Sequence, residues 1–270
     1  MSEYEILSKS THKNIRFKQP SNYIFTKDES FLPIGLSEVQ YFSKTLPVVF
    51  IKNTDETFFV AVLLSIYANK NEFVDNNGKW TLPYLPSFLT LYPFRVLKVK
   101  ATEGDLEPTK ALGFKKNEKN ITFVTDESFQ PVFNEDGTFS EVGDKIRTGL
   151  VALEREKVQA NYLIKKFENL KILTEITLEN SLGERTLLPN IFAVNDEKLK
   201  ALSAKDIKEL SKDFSLDLIF RQKFSSANFQ NLLKKSDSTS ISTREKVILR
   251  NKAQKDAEIN SLVKNLLIEE

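Results

Sequence analysis

Residues 46–67 read LPVVFIKNTDETFFVAVLLSIY. Two runs rich in β-branched and aromatic side chains, LPVVFIK (46–52) and TFFVAVLLSIY (57–67), flank the polar gap NTDE. Such side chains suit a pleated, buried surface, and a short polar gap suits a chain reversal, so the stretch predicts a hairpin of two buried strands. Its greasiest part, FFVAVLLSIYA (58–68), is eleven residues long and includes Ser65. A membrane-spanning helix needs ~20 apolar residues, so no transmembrane segment is expected.

Outward from the hairpin, the chain changes character twice. The first forty residues are polar and irregular, with scattered anchors at Tyr23, Phe25, Phe31 and Leu32. Downstream, FRVLKVK (94–100) alternates apolar and polar residues, the mark of a strand with one wet face. ITFVTD (121–126) and the residues before Asn134-Glu135-Asp136-Gly137 read as further strands, with Asp136-Gly137 supplying a positive-φ turn. After about residue 140 the apolar period lengthens: Ile146, Leu150, Leu153, Val158, Tyr162 and Phe167 predict a helix from Asp144 to about Leu170. A strand pair, ILTEITLE and LLPNIFAVN, follows around the Asn180–Gly183 turn. Ser203 is a candidate N-cap, with Ile207 and Leu210 facing inward. SLDLIFRQKF (215–224) fits a strand or a helix, and SSANFQNLLKK (225–235) fits a helix. SDSTSIST (236–243) reads as a linker, after which Ser242 and Glu245 form a capping box that opens a charged helix to about Ile268.

The predicted fold class is therefore α+β: mainly antiparallel strands in the first half, mixed strands and helices in the second, and a C-terminal helix. Expected boundaries are an irregular segment at 1–21, a domain at 22–235 whose subdivision near 140 stays open, and the linker with its helix at 236–270.

Composition excludes several function classes. Thirty-nine basic and 37 acidic side chains leave a formal charge of +2 over 270 residues, with the signs interspersed. Nucleic-acid binders draw most non-specific affinity from a basic excess or stripe, so no nucleic-acid partner is expected. The absence of cysteine removes disulfides, thiolate metal sites and cysteine nucleophiles together. His12 is the single histidine, which rules out histidine triads and multi-histidine metal sites within one chain. Its place in the polar N-terminal segment predicts a solvated loop residue. The start, MSEYEILSKSTHKN, lacks the basic and apolar regions of a secretory signal, so a cytoplasmic location is expected. The cell surface would then require signal-independent export.

Local motifs are equally spare. Asp75-Asn76-Asn77-Gly78 and Asn134–Gly137 suggest calcium loops, yet an EF-hand register places Phe73 and Tyr84, or Val132 and Gly143, where carboxylates belong. Tight turns are the better reading. No glycine-rich phosphate loop, serine elbow or glycine–aspartate repeat occurs. No catalytic residue, metal or cofactor is therefore expected.

DNNGKWTLPYLPSFLTLYPF (75–94) stands out from the rest. Asp75–Gly78 supplies a turn, and Trp80 and Tyr84 are large groups with one polar handle each. Pro83, Pro86 and Pro93 hold φ near −65° and push Leu82, Leu85 and Tyr92 towards extended shapes. The product is a rigid aromatic ledge leading to Arg95. It reads either as core beneath a long loop or as a recognition surface at the mouth of a pocket, with Asp75, Trp80, Tyr84, Tyr92 and Arg95 as candidate binding residues.

A series of spaced signposts resembles the bacterial SapC family. They run Leu46-Pro47-Val48-Val49-Phe50, a greasy strand, Asn71-x-Phe73-Val74-Asp75-x-x-Gly78-x-Trp80, Tyr84-Leu85-Pro86 and Tyr92-Pro93-Phe94. Phe133-x-x-Asp136-Gly137, Ile191-Phe192-x-Val194-Asn195-Asp196-x-x-Leu199 and Ser225/Ser226 before Leu232 continue the order, and the resemblance covers about residues 22–235. Thr90 and Leu91 depart from it, standing where many relatives carry arginine, and Leu46 stands where tyrosine is common. The family is associated with surface-array loci that also encode a signal-independent export system. The resemblance therefore implies a non-enzymatic protein of surface-layer (S-layer) assembly, export or attachment, with surface-layer or export-system proteins as partners. It carries no catalytic residues. A peptide-transporter permease shares the family's name, and a chain without a membrane-spanning segment does not fit it. The alternative is a cytosolic enzyme or enzyme accessory that binds a small molecule or peptide at the aromatic 75–95 region.

Overall fold

The computed structural model describes residues 3–99, 109–179 and 185–236. The Asn180–Gly183 turn, the linker after Ser236 and the charged C-terminal helix lie outside the described residues. In chain order the elements are β1 (Tyr4–Ile6), β2 (Arg16–Phe17), β3 (Phe31–Pro33), α1 (Val39–Phe42), β4 (Val48–Lys52) and β5 (Phe58–Leu63). Then come α2 (Ser87–Thr90), β6 (Phe94–Val99), β7 (Thr109–Lys115), β8 (Ile121–Thr122) and β9 (Gln130–Pro131). The second half comprises α3 (Glu141–Asn169), β10 (Leu173–Glu179), β11 (Arg185–Val194), α4 (Asp196–Lys200), α5 (Ala204–Leu210) and α6 (Ser215–Ser225), followed by helical residues 228–236. The strands form antiparallel sheets, accompanied by one long helix, α3, and several shorter ones, an α+β fold.

The 46–67 stretch is the hairpin its sequence predicts. β4 and β5 pair antiparallel from Val48↔Val62 to Lys52↔Phe58. Asp55 closes the reversal by accepting the Thr57 N–H at 3.1 Å, and Glu56 takes a left-handed φ of 65°. This hairpin is central to the five-stranded sheet β10-β11-β4-β5-β3. Both faces of β4 are sealed, since Val48, Val49 and Phe50 in succession are 0% exposed. That explains the unbroken apolar run: α3 packs on β5, and α6 packs on β4 and β11.

Two smaller sheets, β1-β7-β6 and β8-β2-β9, have three strands each. Residues near the N-terminus, irregular by sequence, supply a strand to both. Their apolar anchors Ile15 and Phe17 are buried beside Phe94, Phe114, Val132 and Phe133. His12 is likewise buried rather than solvated. It accepts the Ser8 N–H at Nδ1, which leaves the proton on Nε2 facing Glu5 at 3.1 Å, and its ring meets the edge of Phe114. The strand expected over 121–126 shrinks to β8; beyond it Phe123 is half exposed, with its ring near His12 and Phe114, and Val124 is 73% exposed.

α3 is the spine. Ser140 caps it by accepting the Gly143 N–H, acidic Glu141 and Asp144 lie in its first turn, and Lys166 lies in its last. Ile146 and Leu150 enter the smaller core, whereas Ala160, Leu163, Ile164 and Phe167 enter the larger one. Val158 and Tyr162, expected on the buried face, are 58% and 63% exposed. At about 100° per residue they lie roughly 120° and 160° around the helix from Ile146, on the wet side. Ile207 of α5 is also exposed, while Leu210 is buried as expected. The ambiguous 215–224 segment is helical, and its inward face is Leu218, Ile219, Gln222 and Ser225.

Candidate functional site

The aromatic ledge divides into a structural half and a half that lines a cleft. In the first, Asp75 Oδ1 accepts the N–H groups of Asn77 (2.9 Å) and Lys79 (2.8 Å). Gly78 is required there twice over, by its φ of 78° and by the 2.1 Å that would separate a Cβ from Asn22 Oδ1. The turn folds Trp80 back into the larger core at 8% exposure, where its indole N–H donates to the Tyr84 carbonyl at 2.9 Å. Tyr84 stacks on Tyr41 with ring centroids 4.8 Å apart and meets Phe42 edge-on at 5.1 Å. Burial, then the nearby Glu38 carboxylate, pushes the Tyr84 phenol above its ordinary pKa. Asp75, Trp80 and Tyr84 thus hold the loop together and lie outside the cleft.

Tyr92 and Arg95 reach a cleft of about 390 Å³ where β3, β5, α3 and β6 approach one another. Tyr92 is 8% exposed and stacks on Phe25 at 4.0 Å. Its hydroxyl is sealed beside Lys115 and Glu118 without a well-formed hydrogen bond; burial, then Glu118, pushes its pKa far up. Apolar lining comes from Phe31, Ile34, Phe59, Leu91, Leu150 and Leu153. The polar groups are few: Asn53, Arg95, Glu154 and Lys157.

Those charges are not balanced. Glu154 is already paired with Lys110 at 2.9 Å. The Arg95 guanidinium lies 4.1 Å from the centre of the Tyr4 ring. No carboxylate among the described residues forms an ion pair with Arg95 or Lys157. A second groove shares Arg95, Glu154 and Lys157 with the cleft and adds Lys98, which lies directly across the sheet from Lys110. Gly113 pairs with Arg95 across the sheet, and a Cβ there would fall 2.2 Å from Leu97 and 2.8 Å from the Glu5 carbonyl.

Sequence reasoning found Tyr92 and Arg95 but missed Glu154 and Lys157. Both follow Leu153 on the border of the α3 stripe, and an (i, i+3) charged pair there was the available signal. Chemically, the cleft offers apolar surface, the cations of Arg95 and Lys157, and the Lys110-paired carboxylate of Glu154. Among the described residues no group of three or more histidines or carboxylates is placed to hold a metal ion. No described helix is long and apolar enough to cross a membrane.

Fold and cleft together define an α+β protein with a largely apolar cavity where two of its sheets meet. Residues 7–232 match the SapC family, and the chain belongs to that family. The match begins ahead of residue 22, where the resemblance was expected to start, and so takes in the buried Ile15 and Phe17. No curated protein and no solved structure matches the chain.

Many of the signposts prove to be joints of the scaffold. Asn71 donates to the Thr26 carbonyl and accepts the Phe73 N–H. Ser225 Oγ accepts the Val48 N–H at 2.9 Å, and Gln222 joins β4 to β11 by donating to the Val48 carbonyl and accepting the Val194 N–H. Asp136 shapes the Gly137 turn by accepting the Thr138 N–H, and Asn195 caps α4.

Proposed function

We propose that the chain is a non-enzymatic protein of bacterial surface-layer assembly, export or attachment, which acts by binding a surface-layer or export-system protein. The observation that carries this reading is an aromatic row on α6 that is exposed among the described residues. Phe220 and Phe224 are 46% and 75% exposed with their rings stacked, and Phe214 at the helix start is 36% exposed. Aromatic side chains clustered in water are typical anchors for a protein partner. Membership of the SapC family supports the choice of partner through the loci with which that family is associated.

The test mixes the purified protein with the surface-layer protein of the same cells. Complex formation that drops at least tenfold in Phe220→Ser/Phe224→Ser supports the reading. Deletion that leaves the layer and its secretion intact overturns it. Fractionation of native cells then separates an exported component, recovered in surface extract or medium, from an intracellular assembly factor.

A second reading, binding of a small molecule or peptide by an enzyme accessory, is favoured by one observation: Tyr92 and Arg95 line a real cleft. The two readings use different surfaces of the molecule.

A further inference from the structure

We infer that the cleft between β5, β6 and α3 is a binding site for a small carboxylic acid with an apolar body, aliphatic or aromatic, whose carboxylate is received by Arg95 and Lys157. This rests on the second reading above, and adds the chemistry of the occupant.

Three features select that class. A cavity of about 390 Å³ lies within the range of small-molecule sites, and side chains such as Phe59, Leu91 and Leu153 give it an apolar interior. An occupant must therefore bring apolar surface, which excludes inorganic phosphate or a bare sugar as a good fit. Next, the charges are one-sided. Glu154 is neutralised by Lys110, whereas Arg95 and Lys157 reach the cavity with no ion-pair partner among the described residues. An incoming cation would meet like charge, and an incoming carboxylate would meet two opposite charges. Finally, Arg95 is oriented in advance. Its guanidinium lies 4.1 Å from the Tyr4 ring centre, a cation–aromatic contact that holds the planar donor fork without using its N–H groups. Arginine presents paired donors that match a carboxylate edge, and less rotamer freedom is lost when the fork is already held.

The experiment is calorimetric titration of the purified full chain with octanoate, octanol, octylamine and inorganic phosphate, each below any aggregating concentration. Saturable binding of octanoate, with octanol and octylamine at least tenfold weaker, is the expected result. Arg95→Met and Lys157→Met each weaken octanoate about tenfold while leaving the unfolding midpoint in place, because both side chains are exposed. Leu153→Trp, which fills the cavity, abolishes binding. If octanol or octylamine binds as well as octanoate, the carboxylate inference fails and the small-molecule reading stands. If phosphate alone binds as tightly, the apolar body is irrelevant and the inference fails. If none of the probes binds, the inference is overturned; if a broad metabolite and peptide library also gives no ligand, the second reading falls with it.

Discussion

Glu38 shows how much of this fold hangs on single side chains. It is 2% exposed, yet it accepts the Gly35 N–H at 2.8 Å through one oxygen and the Ser87 N–H and hydroxyl at 2.8 and 3.0 Å through the other. It therefore ties the turn before α1 to the start of α2. Glu38→Gln keeps the shape but points an amide N–H at donors, and Glu38→Ala leaves all three donors without a partner. Each should cost about 2–3 kcal/mol, read as a lower urea midpoint at unchanged slope. Glu168 is a milder, pH-dependent case. Lys165 at 2.9 Å, opposed by some burial and helped by Lys52 at 3.0 Å, holds its carboxyl below the ordinary value of 4.5. A depressed folded pKa contributes stability above the unfolded value, and that contribution is lost as pH falls through the folded one. Glu168→Gln should thus be about 0.5–1 kcal/mol less stable than the parent at pH 7, and the gap should close on acidification below about pH 4.5. Denaturant midpoints taken from pH 7 to pH 3 check both the size and the sign.

At the scale of elements, legibility followed burial on both sides. The 46–67 hairpin was plain because both faces of β4 are sealed, so apolar residues run on without interruption. The helix over 141–169 was plain in extent, but its phase was misread at Val158 and Tyr162, where wet-side apolar residues counterfeit the stripe. The short strands β1, β2, β8 and β9 were invisible or overdrawn, since two or three residues carry no periodicity and their pairing is non-local. The same reason hid the cleft: Tyr92 and Arg95 lie within one stretch, but Glu154 and Lys157 come to them only through the docking of α3. β11 carries an element-level test of its own. Its pairing with β10 jumps from Phe192↔Glu175 to Leu188↔Ile176, so Pro189–Ile191 bulge out, and Ile191 then pairs with Ile51 of β4. Asn190 sits in the bulge at φ 62°, a region that Asn tolerates and β-branched residues resist. Asn190→Val should lose about 1–2 kcal/mol, while Asn190→Gly should change thermal stability by only a few tenths. Equal losses in the two variants would mean that the side chain, rather than the backbone, matters at this position.

The whole molecule poses the question of whether its two apolar cores melt as one. They share no cluster: Ile15, Phe17, Phe94, Phe114, Val132, Phe133, Ile146 and Leu150 form the smaller, and the hairpin, Phe167, Ile172, Leu218 and their neighbours belong to the larger. What joins them is α3, which passes through both without a break, and a helix this long cannot lose half its packed face and leave the other half untouched. The ledge adds a second strap, since Leu89 is in the larger core and Phe94, five residues on, is in the smaller. A single cooperative unfolding transition is therefore expected. Truncation at either end of α3 should act on that same transition: Ile146→Ala and Leu163→Ala should each lower its midpoint by an amount equivalent to about 2–4 kcal/mol. Calorimetry and far-ultraviolet circular dichroism should agree on that midpoint in the parent and in both variants. An early transition abolished or advanced by Ile146→Ala alone would instead mark the smaller core as a unit that opens by itself. Because the cleft lies where the cores meet, such opening would also separate the two sides of the cleft, β6 with Arg95 and α3 with Lys157, and octanoate at saturation would then raise the early midpoint selectively. If the molecule melts as one, the ligand raises the single transition as a whole.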